Sequence, residues 1–408
     1  MTRRFEMLPF LAAVFIDLFS FGLMYPVIVI LFRDLAAQHA YPRATLDLLL
    51  SLTFSLFPLG MFFGASLLGD ISDALGRRRT LLICLGGLAC SYLLMFIGVE
   101  TRLITILLTG RLLSGLMAGS APIAQAAMMD RSTPEDRGHN MSKVVLVNCL
   151  ALASAPALGG VLSDVALSLP LLFTILLCLG AFLLIARSRF AEKADRAPLS
   201  LDWRRPILNF VHAARHPQIR WLATSFFLFQ LGFAIYYIFV IVLMGEHYHL
   251  EPSLLGLFSG LMGVGFVAGS TVGYRLMARL IRREEVICAL SLILCGAFIL
   301  ASSFVGEGLQ WPLVFLAAVM NCGAFITNLS LISGAATADS QGWAMGIGSA
   351  ASAAAFFFSG LLANSLAFVP LSAIIAIGGV IVVVSAWPLR LAGRPKRRPV
   401  AQEAPEPS

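Results

Sequence analysis

Twelve apolar runs, each long enough to cross a bilayer, constrain this chain more than any other feature. They lie near residues 8–33, 46–68, 80–99, 103–129, 141–163, 168–187, 219–244, 253–277, 285–304, 310–333, 343–366 and 369–390. A helix of about 20 apolar residues crosses roughly 30 Å of hydrocarbon, and a backbone surrounded by lipid must satisfy its own hydrogen bonds. Of 408 residues, 59% are hydrophobic and 12% charged, whereas an ordinary soluble domain carries roughly a quarter charged residues. A soluble fold could not hide that much apolar surface. The expected fold class is an all-α membrane protein of twelve transmembrane helices.

Residues 188–218 form the one long polar interruption, and "SRFAEKADRAPLSLDWRRPILNF" reads as a linker between two six-helix halves. The expected organisation is an N-terminal six-helix bundle over 1–187, a cytoplasmic linker over 188–218, a C-terminal six-helix bundle over 219–390 and a tail over 391–408. The tail, "LAGRPKRRPVAQEAPEPS", has the Pro-rich, apolar-poor composition of disorder. The halves also repeat one another. Gly69 has a counterpart 204 residues on in Gly273, the pair Arg78-Arg79 maps at the same offset onto Arg282-Arg283, and "RGHNM" at 137–141 onto "QGWAM" at 341–345. Six helices per half make this a parallel repeat about an axis along the membrane normal, so two pseudo-symmetric bundles are expected.

Lysines and arginines orient the chain. Taking the N-terminus as cytoplasmic places 25 of the 29 on that side, with Arg33, Arg43 and Arg102 on the far side and Arg111 inside a span. Such a one-sided count places both termini in the cytoplasm, and the expected location is a bacterial cytoplasmic (inner) membrane. The net charge of +7 then reflects topology and anionic lipid headgroups, and nucleic acid is not an expected partner. The basic start before the first run resembles a signal peptide in outline, but the run is too long, contains Asp17 and lacks a small-residue cleavage pattern. All seven cysteines sit inside apolar spans without CxxC spacing and read as small buried residues. The six histidines lie in loops or at helix ends, which leaves no visible metal cluster and no intramembrane histidine relay.

One charged loop carries a family resemblance. "GDISDALGRRR", residues 69–79, resembles the signature loop between the second and third helices of the major facilitator superfamily: Gly, an acid four residues later, Gly, then basic residues. Gly69, Asp73, Gly76, Arg77 and Arg78 fill those positions, and Ala74 stands where a basic residue is common. The resemblance extends over the whole chain and implies the major facilitator fold. It also implies a conformational latch, in which Asp73 pairs with Arg77, faces the positive N-terminus of a helix in the other half, expected to be the eleventh, and holds the cytoplasmic side shut. The arginines can also serve simply as topology anchors, the reading favoured for Arg79. Met277 stands where Asp73 maps in the second copy, so one half alone carries the acid.

Inside the membrane, charge is scarce. Asp17 lies about nine residues into the first helix, roughly 14 Å deep, where a carboxylate is costly unless protonated or paired. Arg111 enters the fourth span from the opposite face to a comparable depth, so the two can interact if helices one and four are neighbours. "DLFSFGLMYP" at 17–26 resembles the first helix of tetracycline and related drug:proton antiporters. "RLLSGLMAG" at 111–119 resembles the superfamily's fourth-helix motif, whose Arg is linked to proton coupling. Asp17 and Arg111 are therefore the proton-coupling candidates, although a structural ion pair would use the same two residues. Gly115, Gly119 and Ala126 continue the Arg111 face as packing positions, and Pro122 is expected to kink the helix. "ALASAPALGG" at 151–160 resembles the fifth-helix motif of antiporters. Ala155 replaces its first Gly, while Pro156, Gly159 and Gly160 remain as gate or packing residues.

Substrate selection is less legible. In "FFLFQLGFAIYYIFV", residues 226–240, Gln230, Phe233, Tyr236 and Tyr237 combine aromatic faces with hydrogen-bonding tips, which suits a flat or amphipathic molecule. Tyr25, Gln125, Asn148 and Asn328 are further candidates, and Asn321 is one more polar group in a span. Each can equally be packing or interhelical glue. The expected protein is a monomeric secondary transporter that exports a small amphipathic, drug-like compound by alternating access, with no cofactor beyond the proton gradient. Its partners are the small-molecule substrate, protons and membrane lipid. The alternatives are an exporter of one endogenous metabolite such as a siderophore, an importer on the same fold, and a receptor without turnover. No catalytic constellation is visible, so no enzyme is expected, and no phosphate-binding loop suggests ATP as the energy source.

Overall fold

The structure, a computed structural model, describes residues 7–39, 41–130, 132, 134–188, 203–217, 219–336 and 341–392. Twelve helices are long and apolar enough to cross a membrane: Leu8–Ala37, Arg43–Leu75, Arg77–Thr101, Ile104–Met128, Lys143–Val165, Leu169–Arg187, Ile219–His247, Pro252–Leu280, Glu284–Ser302, Glu307–Ala335, Gly346–Leu366 and Leu371–Leu391. We call them spans 1 to 12. They coincide with the twelve apolar runs, and among the described residues there is no strand. Span 2 has 33 residues, about 50 Å of rise, so it projects beyond the hydrocarbon. Several spans depart from a regular helix. Span 4 breaks between Ile104–Leu116 and Ser120–Asp130, span 7 ends in a π-turn at Leu243–His247, and span 8 carries another at Gly269–Gly273.

Packing repeats between the halves. Span 1 lies against spans 4, 5 and 6, span 2 against span 4, and span 3 against spans 4 and 6; spans 7, 8 and 9 meet spans 10, 11 and 12 in the same pattern shifted by six. Two cross-half interfaces, spans 5 with 8 and spans 2 with 11, are equivalent under the same shift. The twelve helices thus form two pseudo-symmetric six-helix bundles.

An even number of spans puts the linker and both chain ends on one face, with Arg77, Arg78, Arg79, Arg282 and Arg283; we call this the basic face. Within the linker, a helix at Arg205–Arg215 lies against spans 2, 7 and 11. The expected tail begins inside the last described helix, Trp387–Leu391, and residues 393–408 lie outside the described part.

Several contacts join the halves on the opposite face. Gly160 on span 5 meets span 8 so closely that a methyl group would collide with the Pro252 carbonyl oxygen. Ser51 Oγ donates to the Leu361 carbonyl at 3.2 Å, the Ser253 N–H donates to Asp164 at 3.3 Å, and Arg33 donates to the Leu250 carbonyl at 3.1 Å. Arg43 bridges Asp47 at 3.3 Å in its own half and Glu246 at 3.5 Å in the other. These contacts tie the two halves together on the opposite face.

Candidate functional site

The break in span 4 organises the buried charges. Pro122 has no backbone donor and its ring clashes with the turn before it, so the helix stops at Leu116 and restarts at Ser120. The first N–H groups of the restarted helix have no partner within it. Asp17 of span 1 fills that vacancy. Ser120 Oγ donates to its Oδ1 at 3.0 Å and the Ala121 N–H to its Oδ2 at 3.3 Å, and the helix dipole favours a negative charge there. Ser20 Oγ donates to the Asp17 carbonyl at 3.0 Å, and the Tyr92 hydroxyl donates to the Ser20 carbonyl at 2.5 Å, which ties span 3 into the site.

Spans 1 and 4 adjoin, as the pairing of Asp17 with Arg111 requires, yet the structure does not bring the two together. Arg111 is completely buried. Its Nε donates to the Thr53 carbonyl at 3.1 Å, and its guanidinium lies 4.9 Å from the centre of the Phe57 ring. Ser120, the partner of Asp17, is nine residues beyond Arg111, about 13 Å of helical rise. The physical reason is depth: the two residues enter from opposite faces and stop on opposite sides of the midplane. Comparable distances from the two faces do not mean the same level.

Between the halves lies an aromatic cluster. Tyr25 meets Tyr237 edge-on at 4.7 Å and stacks on Phe54 at 5.7 Å. Phe21 lies 5.1 Å from Tyr25, 5.2 Å from Phe57, 6.4 Å from Tyr237 and 5.9 Å from Phe356. Phe233 extends the cluster, 6.4 Å from Tyr237. Tyr25, Phe233 and Tyr237, three of the candidate substrate residues, thus meet in one cluster. Phe21, Phe57 and Phe356 were missed, although Asp17, Phe21 and Tyr25 recur every four residues and share a helix face.

The other substrate candidates are placed differently. Gln230 donates to Ser352 Oγ at 2.8 Å and Asn328 to Ser225 Oγ at 3.3 Å, so both hold helices of one half together. Tyr236 is fully buried, and its hydroxyl has no hydrogen-bond partner among the described residues. Gln125 is half-buried on the restarted helix of span 4. Asn148 on span 5 and Asn321 on span 10 each retain a buried amide atom without a partner. A separate cavity of about 610 Å³ lies beside the linker helix, lined by Phe62, Ile207, Trp221, Phe227 and Phe358 among others, away from the aromatic cluster.

At the basic face, Arg77 is the hub. It pairs with Asp73 at 3.0 Å and with Asp130, at the end of span 4, at 3.6 Å, and it donates to Ser72 Oγ at 2.8 Å. Arg78 donates to the carbonyls of Ile185, at 3.3 Å, and Ala186, and Arg79 is exposed. Gly76, at φ 95°, makes the turn between spans 2 and 3, and Gly69 faces open space. These described contacts stay within one half; the side chains of 341–345, where the expected partner helix begins, lie outside the described residues.

The small residues of spans 4 and 5 let backbones touch. A methyl on Gly115 would strike the Phe57 carbonyl, one on Gly119 the Leu68 side chain, and one on Gly159 the Leu23 carbonyl. Pro156 packs against Gly22 of span 1 and Gly256 of span 8, so span 5 is clamped between the halves. Among the cysteines, all free, Cys84, Cys178, Cys288 and Cys295 are buried as expected, Cys149 and Cys322 are half-buried, and Cys90 is exposed. An outward-facing position in a bilayer-spanning helix meets lipid, which a thiol tolerates.

Comparison with known proteins agrees with this architecture. A sequence model of the Major Facilitator Superfamily matches residues 10–360. The tetracycline resistance protein, class C, of Escherichia coli is 27% identical over 259 residues, and the match covers 62% of this chain and 62% of that protein's length. The solved structure of the human organic anion transporter MFSD10 (TETRAN) superposes with a TM-score of 0.69 at 20% identity, covering 95% of this chain and all of that one. The POT family transporter PepTSo superposes with a TM-score of 0.73 at 12% identity, covering 96% of this chain and 98% of that one. At such identities the solved structures share the fold alone.

Proposed function

This chain belongs to the Major Facilitator Superfamily, and we propose that it is a multi-pass membrane transporter that exports a small amphipathic compound in exchange for protons by alternating access. One observation carries the reading: a single acid, Asp17, sits at a broken helix where Ser120 and Ala121 hold its carboxylate, on the same helix face as Phe21 and Tyr25. When the carboxylate takes up a proton, the charge that the helix N-terminus stabilises disappears and both bonds weaken. Hydrogen bonds to a charged group contribute about 1.5–3 kcal/mol each, and shifting a two-state equilibrium from 1:99 to 99:1 takes about 5.5 kcal/mol. Two such bonds therefore supply an effect of the right size.

The aromatic cluster is the proposed substrate region, since its rings come from both halves and must part when the halves move. The latch at Asp73 and Arg77 would close the basic face in turn. In this reading the protein lies in a bacterial inner membrane with both termini cytoplasmic, works as a monomer and needs no cofactor. Two names among its similar proteins, a tetracycline resistance protein and an organic anion transporter, fit a drug-like substrate without fixing its charge.

The test is proton flux in proteoliposomes with an internal pH dye. Wild type should move protons when substrate is driven across. Asp17→Asn, which keeps size and hydrogen bonding but cannot ionise, should lose gradient-driven transport while retaining downhill exchange. If Asp17→Asn still accumulates substrate with the wild-type pH dependence, the proton site lies elsewhere.

A further inference from the structure

Arg111 carries a charge that no described residue neutralises. Its side chain is fully buried, and only Nε has a protein partner, the Thr53 carbonyl; Nη1 and Nη2 have none. The ionisable groups in electrostatic reach are Tyr92 and Tyr25, both phenols, and no carboxylate pairs with Arg111 among the described residues. The Tyr25 hydroxyl is likewise buried without a partner.

A guanidinium stays charged at any physiological pH, and an unpaired charge inside a membrane protein costs several kcal/mol. The Phe57 ring at 4.9 Å supplies a cation–π contact of about 2 kcal/mol when desolvated, which does not satisfy two free N–H edges. Those edges adjoin the aromatic cluster, whose Tyr25–Tyr237 contact at 4.7 Å joins the two halves. The free donors therefore sit behind rings that separate when the halves part.

We propose that Arg111 and Tyr25 form the binding site for an anionic group on the substrate, so that the transported compound is an aromatic organic anion with its ring among Phe21, Phe57, Tyr237 and Phe356. The planar fork of Arg111 offers two parallel N–H groups to a carboxylate, and the Tyr25 hydroxyl supplies a third donor. The substrate is then the counter-ion that Arg111 lacks. The proton on Asp17 belongs to a separate site, one held by Ser120 and Ala121. This inference rests on the transporter reading for its consequence, but the binding site stands or falls by itself.

The test compares three probes of one shape on the purified full chain: 1-naphthoate, its methyl ester and 1-naphthylmethylamine. On wild type, naphthoate should raise the melting temperature and bind at least tenfold tighter than the ester, with the amine weakest. Arg111→Gln and Arg111→Lys should each weaken naphthoate at least tenfold and leave the ester unchanged, because lysine lacks the fork; Tyr25→Phe should weaken naphthoate several-fold. Equal binding of naphthoate and ester to wild type, no binding of naphthoate, or undiminished naphthoate binding in Arg111→Gln would each overturn the proposal. Should the Arg111 variants fail to fold, the three probes on wild type and Tyr25→Phe still decide it. Charge-selective binding without any naphthoate movement in proteoliposomes would support the site and count against transport.

Discussion

Gly160→Ala should pry the opposite face open. The added methyl would collide with the Pro252 carbonyl oxygen and lie 2.7 Å from Gly256 Cα and 2.9 Å from its nitrogen. All three are backbone atoms on span 8, so no side chain can rotate away. Overpacking of this kind costs about 1–3 kcal/mol, and it is paid only while spans 5 and 8 touch. The equilibrium should therefore move toward the state open on the opposite face by about 5- to 150-fold. The readout belongs at the other cross-half interface. Ser51 on span 2 is 1% exposed and bonds to the Leu361 carbonyl, so a cysteine placed there is shielded while that face is shut. With the seven native cysteines replaced by alanine, Ser51→Cys should react faster with a membrane-impermeant maleimide in Gly160→Ala than in the unmutated background. The control is Gly86→Ala, where a methyl meets only the Phe182 ring at 3.5 Å. Equal labelling in the two alanine variants, at equal yield, would refute the idea that packing of spans 5 and 8 holds the face shut and that the halves move as units.

Charge should matter less than packing at that same face. Arg43 is 57% exposed, and exposed ion pairs contribute about 0.2–1 kcal/mol, so Glu246→Gln should change Ser51→Cys labelling by less than about fivefold; a larger change would make the Arg43–Glu246 pair the principal clasp. Ser120→Ala removes one of the two donors on Asp17 and should slow proton-driven transport by about tenfold, the equivalent of about 1.4 kcal/mol, as read from initial rates in proteoliposomes. Gly76→Ala forces a side chain into φ 95°, ψ 153°, a region that essentially only glycine occupies, at a cost of about 1–3 kcal/mol, which should appear as a lower melting temperature of the purified protein; an unchanged melting temperature would show that the turn relaxes.

The twelve spans were legible because span length is a local property. A run of apolar residues either reaches across the hydrocarbon or does not, and nothing elsewhere in the chain alters the count. The repeat at an offset of 204 announced the pseudo-symmetry for a similar reason, since duplicated packing needs duplicated small and charged positions. Pro122 marked the interruption of span 4, because a missing donor is a property of the residue itself.

Partner choice was a different matter. Sequence spacing put Asp17 and Arg111 at similar depths, but depth measured from two faces does not say whether two residues share a level. The folded chain sets Asp17 against Ser120 and Ala121 and sets Arg111 against Thr53 and Phe57. Likewise, Gln230 and Tyr237 share one helix, yet one bonds to Ser352 and the other meets Tyr25 of the opposite half, because helix rotation decides which face meets which neighbour. The amino-acid sequence alone thus determined how many helices cross the membrane, that Pro122 interrupts one of them and that the two halves repeat. Only the tertiary structure decided which buried charge is satisfied and which is left waiting, because contacts between residues a hundred positions apart depend on the level and rotation of whole helices, and no local pattern encodes either.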